Sequence, residues 1–427
     1  MVKASHILGL NARNQLYEPL NSAAAVKFGT SKLRAKQFLA KHGIIVAQLY
    51  AQIDDEDRLR KFSWSSIDGP FVIKPANGSA GKGVLVIKKK KKHESIWVDL
   101  EDRELRAQDL NLHVSNILQG EYSTWGSKPQ ALIEERVPLH PDLADIVELG
   151  TPDIRVIVFN NIPVMAELRL PTKASGGRAN LHQGAIGLGV DFGTGETTSG
   201  VTGGNKIFTK FPGTDRSTAG IPVPYWTDIL KIAVRAANAT GFAYVGVDLF
   251  MHPEKGPMVA ELNRAPGLAI QLANHAGLKR RLQRVEEMEA RNVSHAVRIA
   301  QSLFAQNIPP SQESDVDLTI IAPKEKVLVY DANDKDHESN AIMNTGRFRS
   351  AISHSYAQHL GLFTPSEFLW KQEIEGEGKV PVIEVTVKIR HKVIKTSMIV
   401  TKKLDHSRSP IEIGRKDLGG FLVGEPL

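Results

Sequence analysis

The sequence contains no cysteine. That excludes disulfides, thiolate metal sites and cysteine nucleophiles, and it fits a reducing compartment. No stretch approaches the roughly 18 apolar residues of a membrane span, so no membrane partner is expected. The opening Met1-Val2-Lys3-Ala4-Ser5-His6 has no long apolar run with a cleavage site behind it. No signal peptide is expected, and a cytoplasmic protein is. Aromatic residues are scarce, at 6%. None interleaves with the lysine run at 88–92, which disfavours stacking on nucleic-acid bases.

What is present is enough for two or three domains with real cores: 427 residues, 41% of them apolar. The net charge of +7 favours partners that carry phosphate or carboxylate. The lysines at 88–92 read as a solvated strand end, with an acidic-polymer site as the alternative.

Residues 1–30 read as a short irregular segment. A helix is expected from Ser31, an N-cap, with Leu33, Phe38 and Leu39 as its apolar stripe and Gly43 as its end. Residues 70–75 and 84–87 read as a hairpin around a glycine-rich loop at 76–83. Further strands are expected at 131–134, 154–159, 164–169, 245–250 and 258–262, with a helix over 227–240. The charged pattern at 277–304, with Glu286, Glu287 and Glu289 among Arg280, Arg281, Arg284 and Arg291, reads as a solvated helix face. The proline-bearing stretch 308–314 reads as a linker. Beyond it Ile383, Val385, Val387 and Ile389 alternate with polar residues, as in a half-buried strand. The expected domains are therefore a segment at 1–30, a main α+β domain at 31–305, a linker at 306–316 and a small β domain at 317–427.

Three groups of residues carry chemistry. Glu261 and Asn263 are two apart in an expected strand and so share a face, and Asp248 can join them from a neighbouring strand. Two carboxylates and an amide oxygen suit Mg²⁺; a surface pair on an edge strand is the bland alternative. Gly78, Gly81 and Gly83 let backbone N–H groups turn around an anion, with Lys74 close by as a point charge. The string is not a Walker A loop, because Gly83 follows Lys82, and a plain flexible hairpin would look the same. Arg155 and Arg169, followed by Arg178-Ala179-Asn180-Leu181-His182, could clamp a phosphate and an acyl group, or could be surface arginines.

These groups occur in an order that resembles the ATP-grasp superfamily, and within it the RimK-type alpha-L-glutamate ligases and their glutamate-ligase-like relatives. The resemblance rests on Ser31-Lys32-Leu33, Phe71-Val72-Ile73-Lys74-Pro75, Asn77-Gly78-Ser79-Ala80-Gly81-Lys82-Gly83, Leu132-Ile133-Glu134-Glu135, Asp153-Ile154-Arg155, Arg178-Ala179-Asn180-Leu181-His182, Gly246-Val247-Asp248 and Glu261-Leu262-Asn263-Arg264-Ala265-Pro266-Gly267. The N-terminal Leu8-Gly9-Leu10-Asn11-Ala12-Arg13-Asn14 also looks like the start of the glutamate-ligase-like group.

The resemblance implies ATP between two α+β lobes. Lys32 and Lys74 would touch its phosphates, and Gly78, Ser79, Gly81 and Gly83 would close over them. The Glu135–Arg136 backbone would meet the adenine edge, and Asp153 would face the ribose. Arg178 and Asn180 would lie by the γ-phosphate and acyl phosphate. Arg155 and Arg169 would contact the acyl group. Asp248, Glu261 and Asn263 would hold Mg²⁺, with Mn²⁺ as a substitute. The implied reaction is ADP-forming ligation of a carboxylate to an amine through an acyl phosphate. Amino-acid and peptide or protein substrates are implied, and a homo-oligomer is compatible. These ligases carry a longer N-terminal domain than the segment before Ser31, so the resemblance does not carry the substrate. A non-catalytic peptide-binding scaffold, or a phosphotransferase using a histidine such as His182, are the alternatives.

Residues 341–353 and Ser409-Pro410-Ile411-Glu412-Ile413-Gly414-Arg415 are similar to the retropepsin-like domain of RimK-related ATP-dependent zinc proteases. Asn344 stands where that family has its catalytic aspartate. An amide cannot activate water as a general base, so a non-proteolytic domain is expected. His354, His359, His391 and His406 match no compact zinc spacing.

Overall fold

Ser31 starts the first long helix as its composition suggests: its side chain accepts the Arg34 N–H at the head of helix Lys32–Lys41. Gly43, with φ +66°, follows its end. The computed structural model describes residues 3–78, 81–91, 95–122, 128–305 and 319–424. Ser79, the expected linker at 306–316 and the first residues of the expected β domain lie outside the described residues.

The chain divides into two units, Met1–Val297 and Arg298–Leu427, with the division inside helix Val293–Phe304. The first unit holds two antiparallel sheets. One has the order β1-β6-β2-β3-β4-β5, from Leu49–Ile53 (β1), Phe71–Pro75 (β2), Leu85–Lys90 (β3), Ile96–Asp99 (β4), Glu104–Arg106 (β5) and Ala131–Glu135 (β6). Its core gathers Trp64, Phe71, Ile73, Ile87 and Trp97 under helix Ala107–Leu118. The other has the order β11-β10-β9-β8-β7-β12-β13. Its strands are Asp153–Phe159 (β7), Ile162–Leu170 (β8), Ile186–Val190 (β9), Thr197–Thr202 (β10), Ile207–Phe208 (β11), Tyr244–His252 (β12) and Gly256–Asn263 (β13). The Val259 N–H donates to the Ile45 carbonyl at 2.9 Å, joining β13 to the chain entering β1.

Two expectations are corrected here. The segment expected to be irregular is ordered over residues 3–30: Ser22 caps helix Ala23–Thr30, and Leu8, Tyr17, Asn21 and Ala25 are buried. Asn21 accepts the N–H groups of Ala243 and Tyr244 and donates to the Tyr244 carbonyl, which fixes the segment to β12. Its short 3₁₀ and π turns over Arg13–Leu20 show no 3.6-residue period to read. The charged stretch near 280 is not all solvated either. It breaks into helices Leu278–Val285 and Val293–Phe304, and Arg281 is buried, donating to the Val164 carbonyl at 2.9 Å. At 88–92, Lys88 pairs with Asp102 at 2.6 Å and Lys91 with Glu104 at 2.5 Å; Lys92 lies outside the described residues.

In the second unit, Lys324–Tyr330 pairs with both Asp336–Asn344 and Gly378–Ile389, which closes a six-strand ring. Strand Trp370–Ile374 is added at the edge of Gly378–Ile389. The expected alternation holds there: Ile383, Val385, Val387 and Ile389 all point into the core. Among the described residues, no group of three or more His, Cys, Asp and Glu could hold a metal ion.

Candidate active site

The inner face of the second sheet carries charge where a sheet face would ordinarily be apolar. Cross-strand partners share a face, and the register lines up Asp153 with Arg169, Arg155 with Glu167 and with Asp248, and Asp248 with Glu261. Arg169 grips Asp153 through two bonds of 2.6 Å and reaches Asp248 at 2.7 Å. Arg155 grips Asp248 through two bonds of 2.7 Å. The Asn263 amide donates to Asp248 at 2.8 Å. Burial opposes the charge on Asp248, but the two guanidiniums outweigh it and hold its pKa below the ordinary value. On Asp153 burial prevails over the single grip of Arg169, and the pKa rises to about 6.

Facing this floor is the first sheet. Lys36 and Lys74 both pair with buried Glu134, at 2.6 and 2.8 Å. Burial, then repulsion from Lys74, lowers Lys36 to about 8. Burial would raise Glu134, but Lys74 and Lys36 reverse it and keep the carboxylate ionised. Lys32 spans the gap: its Nζ lies 3.0 Å from Glu261 and donates to the Gly78 carbonyl at 2.8 Å. Between the sheets is a cavity of about 960 Å³, near the upper end of the usual ligand-site range. Ten Lys and Arg residues and six Asp and Glu residues line it, so it is matched to a polyanion.

Of the residues singled out in the sequence, Lys32, Lys74, Gly78, Gly81, Glu135, Arg136, Asp153, Arg169, Arg178, Asn180, Asp248, Glu261 and Asn263 all line this cavity. Gly81 and Arg178 meet directly, since a side chain on Gly81 would come within 3.1 Å of Arg178 Cδ. Arg178 Nε is buried without a hydrogen-bond partner among the described residues, so its guanidinium is available to an anion.

Three placements differ from expectation. Gly83 is off the cavity wall; with φ +71° it packs on Tyr122, whose ring a Cβ would meet at 2.5 Å. Both Asp153 oxygens are taken by Arg169, so this residue orders the floor rather than facing the cavity as a free acceptor. The Glu135 and Arg136 N–H groups are already bonded to the Gln48 and Pro70 carbonyls, at 2.8 and 3.2 Å. The next N–H, of Val137, has no partner among the described residues and lines the cavity.

The residues fit a hard divalent ion. Asp248 Oδ1 accepts one bond only, while Glu261 Oε2 and Asn263 Oδ1 accept none among the described residues. Oxygen donors of that kind suit Mg²⁺.

The sequence assigned no role to Lys36, Glu134, Val137 or Glu167. The signal for Lys36 was its i+4 spacing from Lys32, which puts both on one helix face. The signal for Glu167 was a lone carboxylate in β8, a strand buried at all nine positions.

Residues 11–287 match the family described as "Sugar-transfer associated ATP-grasp". A "Probable alpha-L-glutamate ligase" of Ectopseudomonas mendocina (strain ymp) is 26% identical over 253 residues, 58% of this chain and 60% of that protein. A "Ribosomal protein bS6--L-glutamate ligase" of Salmonella paratyphi B is 27% identical over the same shares. The match thus spans about 60% of the length of these curated relatives. Among solved structures, the VanG D-Ala:D-Ser ligase of Enterococcus faecalis is similar with a TM-score of 0.37 and 16% identity, over 65% of this chain and 62% of that one.

Burial raises Glu167 to about 7, well above the ordinary carboxyl value. A raised pKa in the folded state means that stability is fully present below the unfolded value near 4.5 and is lost as pH rises through about 7. Glu167→Gln escapes that loss. Its melting temperature relative to the natural protein is expected to climb between pH 5 and pH 8, by the equivalent of about 3 kcal/mol at most. Thermal melts at both pH values check this; a difference that does not change with pH contradicts it.

Proposed function

The chain belongs to the sugar-transfer associated ATP-grasp family, and on that premise we propose that it is an ADP-forming ligase joining a carboxylate to an amine. A substrate carboxylate attacks the γ-phosphorus of ATP, giving ADP and an acyl phosphate. The amine then displaces phosphate and leaves an amide. Such a transfer needs alignment and charge neutralisation more than a protein nucleophile, which agrees with a chain lacking cysteine.

The observation that carries the reading is the unpartnered Nε of Arg178 beside Gly81, across a cation-rich cavity from Asp248, Glu261 and Asn263. In this reading Lys32 and Lys74 bind phosphate oxygens, and Lys32 releases Glu261 to do so. Arg178 and Asn180 hold the γ-phosphate and then the acyl phosphate. Gly78, Gly81 and Lys82, which line the cavity beside them, help to exclude water. The Val137 N–H, without a partner among the described residues, receives the adenine edge with the neighbouring carbonyls. Asp248, Glu261 and Asn263 would hold Mg²⁺, or Mn²⁺ in its place, which would supply charge neutralisation for the phosphates. Arg155 and Arg169 keep the Asp248 carboxylate ionised and turned to the cavity.

An amino acid such as glutamate, added to a peptide or protein in the cytoplasm, is the substrate pair we favour. Support comes from the relatives named for adding L-glutamate, one of them to a ribosomal protein. The C-terminal unit reads as a retropepsin-like domain that has lost proteolysis and binds peptide. Asn344 keeps the turn, accepting the Gly346 and Arg347 N–H groups at 3.1 Å, while its amide donates to Glu412 at 3.2 Å. The domain boundaries read from the sequence belong to the same proposal.

Glu261→Ala is expected to lower Mg-dependent ADP release by roughly 100-fold or more while leaving the circular dichroism spectrum and melting cooperativity intact. Full turnover in that variant rejects the metal assignment. The full chain is expected to show no cleavage of labelled casein, and Asn344→Ala to change nothing; robust cleavage by the natural protein contradicts the loss of proteolysis.

A further inference from the structure

Glu167 is a buried acid with no task in the proposed ligation. It is 3% exposed, it lines the cavity, and its Oε1 has no hydrogen-bond partner among the described residues. The arginines on either side do not serve it: Arg155 bonds Asp248, and Arg169 bonds Asp153 and Asp248. A buried carboxyl left unpaired is a standing loss of stability. The fold nevertheless makes room for it. Gly187, on β9, stands where a Cβ would come within 2.3 Å of Oε1. That glycine has no positive φ to explain it, so what it provides is space.

The charged groups facing Glu167 are Asp153 and Arg155 from β7, Arg169 from its own strand and Asp248 from β12. On the β9 side lie glycine and the Leu181 methyl. What such a site lacks is a small donor of N–H bonds that carries positive charge.

We propose that Glu167 is the acceptor-amine subsite: its carboxylate receives the ammonium group of the incoming nucleophile and takes one proton from it. The proposal rests on the ligase reading of the same cavity and names the residue that reading leaves out. An ammonium group has no lone pair, so a proton must leave before the C–N bond can form. The first proton passes from nitrogen to Glu167. The nitrogen lone pair then forms the bond to the acyl carbon, and the C–O bond to phosphate breaks with its electron pair leaving on the phosphate. The second proton goes to that departing phosphate, and Glu167 returns its own to solvent. A carboxyl that burial holds near pH 7 is matched to this exchange.

The test compares two nucleophiles in the full chain, with Mg-ATP and a glutamate-terminated peptide as the carboxylate. L-Glutamate arrives as an ammonium; hydroxylamine is uncharged at neutral pH and needs no such help. In Glu167→Gln the ratio of L-glutamate-supported to hydroxylamine-supported ADP release should fall by about 100-fold. Glu167→Asp, which keeps the carboxylate, should recover part of that ratio. An unchanged ratio in Glu167→Gln overturns the proposal and leaves the ligase reading standing. If the natural protein releases ADP with neither nucleophile, the ligase reading itself fails and takes the proposal with it. Thermal melting of both variants shows that each is folded.

Discussion

The floor of the cavity is oriented by one buried cluster of charge, in which Arg169 and Arg155 hold Asp153 and Asp248 on three adjacent strands. Two cations and two anions out of water would be a poor bargain singly. They are tolerated because nearly every bond is short and two-pronged. Removing one member would leave its partner charged and buried, a loss of about 3–5 kcal/mol. The same cluster fixes the direction of Asp248, which also accepts the Asn263 amide and has Glu261 as its cross-strand neighbour.

The opposite wall is held more loosely. Lys32 is tied to Glu261 and to the Gly78 carbonyl, and its side chain is 19% exposed, so its bonds can be exchanged for those of a ligand. Lys74 and Lys36 share one oxygen of Glu134, while the other has no partner among the described residues. The floor is thus preorganised and the lysine-bearing side is adjustable. A site that must admit a nucleotide and then exclude water needs both properties.

Much of this was legible before any coordinates. Glu261 and Asn263 share a face because strands have a period of two, and Asp248 meets them because β12 and β13 form a hairpin. Other features depend on pairing between segments far apart in sequence. Nothing local in Asp153-Ile154-Arg155 says that Arg169 will occupy both Asp153 oxygens. The use of the Glu135 and Arg136 N–H groups follows from where Gln48 and Pro70 run. Glu167 looked like an ordinary strand residue until its neighbours proved to be committed elsewhere. Residues 1–30 hid their order in short turns and in one asparagine, Asn21, that binds a strand more than two hundred residues away.

On the proposed reading, three oxygen-bearing side chains and a set of lysines and arginines form one site for a divalent ion and a nucleotide. Calorimetric titration of ATP into the full chain, with Mg²⁺ and with chelator, tests it most directly. The account predicts clear ATP binding that Mg²⁺ strengthens in the natural protein, and loss of that strengthening in Asp248→Asn. ATP binding indifferent to Mg²⁺, or no binding at all, would contradict it.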